Sequence, residues 1–221
     1  MEFFTDKKLK EISESPTTEL CRIMHKYGSD KSPGEEGGHH NYTKLYNKLF
    51  SERRNEKLNV LEIGIGSINP SVPSNMTGQP NYLPGASIRG WREYFPNSQI
   101  YCCDIDSDIL DIFDNDTNIQ SFYLDQMNLP LVNNVFHNSD LKDIEFDIII
   151  DDGLHNFPIN YTVLEILYPK LKKGGYYIVE DIINYDKSIV VSTMFDFSKY
   201  VTLPNPRNNV DNNLFIVKKT S

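Results

Sequence analysis

The sequence predicts an α/β fold, a mostly parallel sheet covered by helices on both faces and entered through a helical N-terminal segment. Three observations carry this. From Leu58 onward, short β-rich runs alternate with stretches of helical spacing, the pattern of strands buried between two helical layers. Before Leu58 the apolar residues recur instead at helical spacing. The chain has 221 residues, 39% of them hydrophobic, enough for one core or one core plus a small appendage. The division expected is a helical preface over residues 1–57 and a ligand-binding α/β domain over residues 58–221.

In the preface, Thr17 or Thr18 caps a helix running through Tyr27 and stopped by Gly28. Ser29 to His40 holds one Pro, three Gly and two adjacent His, which excludes a helix there. Tyr42, Leu45, Tyr46 and Leu49 then share one helical face, with Tyr46 expected in the core. Seven strand candidates follow: LNVLEI, QIYCC, IQSFYL, EFDIII, YYIVE, KYVTL and NLFIVKK. Helices are expected over 85–95, 107–113, about 126–138, 157–171 and after Asn184. Trp91, in the first of these, is expected to pack rather than to stack on a ligand. The stretch Ser67 to Pro84 contains four prolines and is long for a connection, which suggests a lid or binding loop.

A formal net charge of −9 opposes phosphate backbones and anionic lipid, so nucleic acid and membrane surfaces are not expected partners. Three cysteines, Cys21, Cys102 and Cys103, make neither a disulfide framework nor a zinc site. With a charged N-terminus and no apolar run of membrane-spanning length, a reducing cytoplasmic location is expected.

In folds of this class, ligands bind outside the carboxyl ends of the strands. The acids and glycines of this chain lie there. Glu62-Ile63-Gly64-Ile65-Gly66 follows the first strand, and its small residues allow close backbone approach. A dinucleotide fingerprint would need a third Gly where Asn69 stands. Asp104 ends the second strand, where such folds offer a carboxylate to ribose hydroxyls, while Asp106 or Ser107 reads as a helix cap. The sharpest signal is an apolar strand ending in Asp151-Asp152-Gly153-Leu154-His155, followed after the next strand by Glu180-Asp181. Like charges at buried strand ends need a cation or donors, and oxygen ligands without cysteine favour magnesium, or manganese or calcium.

Together GSDK, HHNYTKLY, VLEIGIG, SIRGWREYFPNSQIYCCDID, LDQ, FDIIIDDGLH and LKKGGYYIVEDI, in order over about residues 20–185, resemble the metal-dependent O-methyltransferases that use S-adenosylmethionine (SAM) to modify sugars of macrolide antibiotics and bacterial surface glycans. The resemblance implies the class I methyltransferase Rossmann-like fold, with a mostly parallel seven-stranded sheet. It implies SAM held by Glu62, Gly64 and Asp104, with Asp125 and Gln126 near the adenine; Gly66 and Asp151 are placed with them. It implies Mg2+ among Asp152, Glu180 and Asp181, and His155 as general base beside the metal-bearing Asp152. The chain departs from the family at Leu154 and Ile159, where Ser and a second His are usual, and in the long insert 67–84 beside the cofactor pocket. His39, His40 and Tyr42 fall in a segment resembling the family's cover, with His40 open to either a structural or a functional role.

The function expected is methylation of a hydroxyl on a sugar, a capsule or other surface-glycan precursor, or a secondary metabolite, by a homo-oligomer. A metal would acidify the hydroxyl and His155, titrating near neutrality, would take its proton. A phosphoryl or phosphoramidate decoration, or an amine, is the alternative acceptor. A nicotinamide-dependent oxidoreductase and a non-catalytic nucleotide-binding protein are the alternatives of other classes.

Overall fold

The computed structural model describes residues 4–34, 40–139, 141–183 and 195–221. The expected helix after Asn184 and His39 lie outside these. Seven strands, β1 (Asn59–Ile63), β2 (Gln99–Asp104), β3 (Ile119–Tyr123), β4 (Phe146–Asp151), β5 (Leu171–Val179), β6 (Phe197–Thr202) and β7 (Asn213–Lys218), form one sheet in the order β3-β2-β1-β4-β5-β7-β6. The first five run parallel, and β7 pairs antiparallel with both β5 and β6.

Among the described residues, six α-helices cover it: α1 (Asp6–Ser13), α2 (Glu19–Lys26), α3 (Tyr42–Phe50), α4 (Ala86–Tyr94), α5 (Leu129–His137) and α6 (Phe157–Leu167). Period-2 alternation splits the strand residues between the two faces. Val60, Ile100, Ile148, Tyr176 and Ile178 pack in one cluster with Leu20, Met24, Tyr46 and Trp91 from α2, α3 and α4. Leu61, Tyr101, Ile149, Tyr177 and Val179 pack on the opposite face with Val132, Phe136 and Leu164 from α5 and α6. The helices before Leu58 therefore bury their apolar faces on the sheet itself.

Thr18 caps α2 as its spacing suggests, accepting from the Cys21 amide. The 107–113 segment is a 3-10 helix rather than an α-helix; the Asp106 carboxylate caps it by accepting from the Asp108 amide. The helix expected over 157–171 ends at Leu167, where Pro169 follows in a 3-10 turn and Leu171 already pairs with Phe146.

Candidate active site

Backbone bonds lock the loops at the carboxyl ends of the strands to one another. The Gly64 amide donates to the Cys103 carbonyl at 2.8 Å, that of Asp152 to Ile63 at 2.9 Å, and that of Glu180 to Asp151 at 2.9 Å. Gly64 has φ +85°, and a Cβ there would lie 2.3 Å from the Asp152 carbonyl oxygen, so only glycine lets the β1 and β4 loops meet. Above them opens a cleft at the carboxyl ends of the strands. Its walls include Gly64, Gly66, Asp104, Asp125, Gln126, Asp152, His155 and Asp181.

The proline-rich insert covers this cleft. Val72, Pro73, Ser74, Met76 and Tyr82 line it, and the Ser74 hydroxyl donates to the Leu154 carbonyl at 3.1 Å. The insert is anchored at its base by the Ser67 hydroxyl, which donates to Asp106.

Each sequence-derived residue has a distinct placement. Asp104 is on the cleft wall and also pins its floor, accepting from the Ile65 amide at 2.8 Å and the Asp106 amide at 2.9 Å. Gln126 faces the cleft while clamping the β4 loop: its amide donates to Asp151 at 2.8 Å and its carbonyl accepts from the Leu154 amide at 2.8 Å. Two of the expected residues do not face the cleft. Asp151 is fully buried beneath the cleft, accepting from Gln126, Asn160 and Tyr177; burial, against these donors, pushes its pKa up to about 6. Glu62 is fully buried as well, turned toward α4, where Ser87 and the Trp91 indole donate to its two oxygens. Neither carboxylate lines the cleft. Trp91 is core, as expected, and holds Glu62 in addition.

The acids after β4 and β5 do meet. Asp152 and Asp181 converge on His155: its Nε2 is 3.2 Å from Asp152 Oδ1 and 3.7 Å from Asp181 Oδ2. One ligand atom from each of the three lies within 4.8 Å of the others. His155 and Asp181 both hold left-handed backbone, φ +53° and +55°, strain of the kind that accompanies functional sites. Glu180 meets Asp152 through a shared partner, accepting from the Tyr46 hydroxyl and from the Lys31 ammonium, each at 2.5 Å. His40 stacks on Tyr42, with ring centres 4.5 Å apart, and its Nε2 lies 3.4 Å from Asp181, whose Oδ1 also accepts from the Tyr42 hydroxyl.

Electrostatics follow from this crowding. Burial pushes Glu180 up to about 8, with Asp152 and Asp181 adding to the rise and Lys31 opposing it; burial and Asp152 push Asp181 up to about 8 against His155 and Lys31. Burial would raise Asp152 too, but the Lys31 charge and the His155 hydrogen bond hold it well below the usual carboxylate range. Burial would lower His155; instead Asp152, then Asp181, raise it to about 9. Two carboxylates thus face one imidazole. These protons belong to the cluster jointly, and a cation entering it would displace them.

Lys31 is a residue at these acids that the sequence reading missed. It is 2% exposed, with Asp152, Glu180 and Glu62 around its ammonium. The signal was present in the GSDK segment and in the need of buried like-charged acids for a cation.

No protein-family model matches the chain. It is 30% identical over 168 residues to the L-olivosyl-oleandolide 3-O-methyltransferase of Streptomyces antibioticus, covering 75% of this chain and 37% of that one. It is 32% identical over 143 residues to the mycinamicin VI 2''-O-methyltransferase of Micromonospora griseorubida, covering 64% and 31%. The chain thus spans about a third of the length of these relatives. Among solved structures, the MycE methyltransferase of the mycinamycin pathway, in complex with Mg and SAH, superposes with a TM-score of 0.65 at 23% identity, over 93% of this chain and 56% of that one. The architecture is accordingly the class I methyltransferase fold.

Proposed function

The chain is a homologue of the macrolide-type sugar O-methyltransferases through three quarters of its length, and on that premise we propose that it methylates a hydroxyl of a sugar, a glycan precursor or a related secondary metabolite. The observation that carries the reading is the convergence of Asp152, His155 and Asp181 on the wall of a cleft that Asp104 and Asp125 also line.

The residues present fit both groups this activity needs. Asp104 lines the cleft, and a carboxylate that accepts from the Ile65 and Asp106 amides keeps acceptor capacity for a ligand hydroxyl. Carboxylates crowded with retained protons, and no cysteine among them, are a donor set for a hard divalent ion such as Mg2+. SAM supplies the methyl group and the cation supplies charge that acidifies the acceptor hydroxyl.

The chain's own residues do the rest. Gly64 and Gly66 leave room for the cofactor, Asp104 holds ribose hydroxyls, and Asp125 with the clamped Gln126 borders the adenine end. The insert 67–84 closes over the cleft and keeps water from the transfer. His155 accepts the acceptor's proton at Nε2, the atom it turns toward Asp152 and Asp181. Among the described residues no helix is long and apolar enough to cross a membrane. A homo-oligomer belongs to the reading, as the common state of soluble enzymes.

The test is methyl transfer from SAM to rhamnosyl and olivosyl glycosides, read by mass spectrometry with and without chelator. His155→Ala should lower turnover by about 100- to 10,000-fold while leaving SAH affinity intact. Full turnover by that variant, or in excess chelator, would defeat the assignment.

A further inference from the structure

At the carboxyl ends of β1, β4 and β5, three carboxylates surround one buried ammonium. Lys31 Nζ donates to Asp152 Oδ2 and to Glu180 Oε2, and lies 3.4 Å from Glu62 Oε1. The remaining oxygens are otherwise engaged: Ser87 and Trp91 donate to Glu62, Tyr46 to Glu180, and His155 faces Asp152. Lys31 does not reach this point by chance rotation of a surface chain. Its carbonyl accepts from the Thr43 amide at 3.2 Å, and the preceding Asp30 carbonyl accepts from His40 at 2.8 Å, so α3 and the loop before it fix the backbone that carries the ammonium.

Two of the three carboxylates that the proposed activity needs for a divalent ion, Asp152 and Glu180, are therefore already held by a cation of the chain itself. A second cation at bonding distance from the same oxygens would be placed against the ammonium inside a buried cluster, where like charges repel strongly. We propose that Lys31 is a positioning residue that acts as the resident cation of the metal-free site: it keeps Asp152 and Glu180 together, and a divalent ion taking both carboxylates displaces it. This rests on the metal-assisted reading above. It gives metal loading the character of an exchange, with the ammonium leaving as the ion enters, so that the acids are neither scattered nor left unpaired in the empty enzyme.

The test uses Lys31→Met and wild type in Mn2+ calorimetry, with SAH titrated into the same samples. Wild type is also labelled with 15N at lysine Nζ, and the Lys31 signal is assigned by its loss in Lys31→Arg. Lys31→Met should be less stable in chelator than wild type and should bind Mn2+ at least about tenfold more tightly, because the competing charge is gone. The wild-type Lys31 signal should shift at saturating Mg2+, a readout that stands even where Lys31→Met does not fold without metal. Equal Mn2+ affinities and a Lys31 signal unmoved by Mg2+ would overturn the inference alone, placing ion and ammonium at separate positions. SAH binding with no Mn2+ binding by wild type would overturn it together with the metal part of the proposed function.

Discussion

Gly64→Ala tests the contact on which the site is built, and Gly174→Ala is its control. Both glycines have positive φ, +85° and +83°, so alanine at either pays the left-handed backbone cost of about 1–2 kcal/mol. They differ in surroundings. Nothing lies within 4 Å of a Cβ at 174, whereas at 64 it meets the Asp152 carbonyl oxygen at 2.3 Å, its carbon at 2.7 Å and Gly153 Cα at 2.8 Å. These are backbone atoms that cannot swing away, so overpacking adds about 1–3 kcal/mol at 64 only. At about 2–4 °C per kcal/mol for a chain of this size, Gly174→Ala should lower Tm by roughly 2–8 °C and Gly64→Ala by roughly 4–20 °C. The same displacement parts the β1 loop from Asp152, so Gly64→Ala should also weaken SAH in calorimetry while Gly174→Ala leaves it unchanged. Equal Tm losses in the two variants would refute the close approach.

Two further outcomes follow from buried carboxylates. Asp147, at the other end of β4, accepts from Arg53 and Lys172 at 2.8 Å and from the Asn59 amide at 2.9 Å; burial would raise its pKa, but these donors outweigh it and hold the carboxyl below its ordinary range. Its stabilisation is therefore complete above the unfolded value and lost as pH falls through the lower folded one. Asp147→Asn should cost about 1.5–3 kcal/mol near neutrality, and in denaturant melts the gap from wild type should narrow as pH falls below the ordinary aspartate range; a constant gap would contradict the assignment. Asp151→Asn keeps an acceptor for Gln126 and Asn160 and lets the Tyr177 hydroxyl turn to accept, so SAH affinity should stay within about threefold of wild type. A folded Asp151→Asn variant that has lost SAH binding would return Asp151 to the cofactor site.

The sheet was legible because apolar strands flanked by breakers recur seven times, and because acids that follow neighbouring strands must share one end of the sheet. Asp152 and His155 follow β4, Asp181 follows β5, and these strands are paired through Asp151↔Val179. Within each acidic pair the side-chain direction was not legible. Asp151 ends a strand and points down toward Asn160, while Asp152 begins a loop and points up; the choice depends on where α6 brings its asparagine. Glu62 shares the face of Val60, toward α4, so its contact with Trp91 follows from alternation once the helix position is known. Lys31 was least legible, since it sits in an irregular loop whose position is set by α3 and the sheet rather than by local periodicity.

Calorimetric titration of the wild-type protein with SAH, in Mg2+ and in chelator, with NAD titrated in parallel, tests the central claim most directly. On the proposed function, one SAH should bind per chain, weakened by Asp104→Ala, and no NAD should bind. Saturable NAD binding, or no SAH binding by the folded protein in either condition, would contradict it.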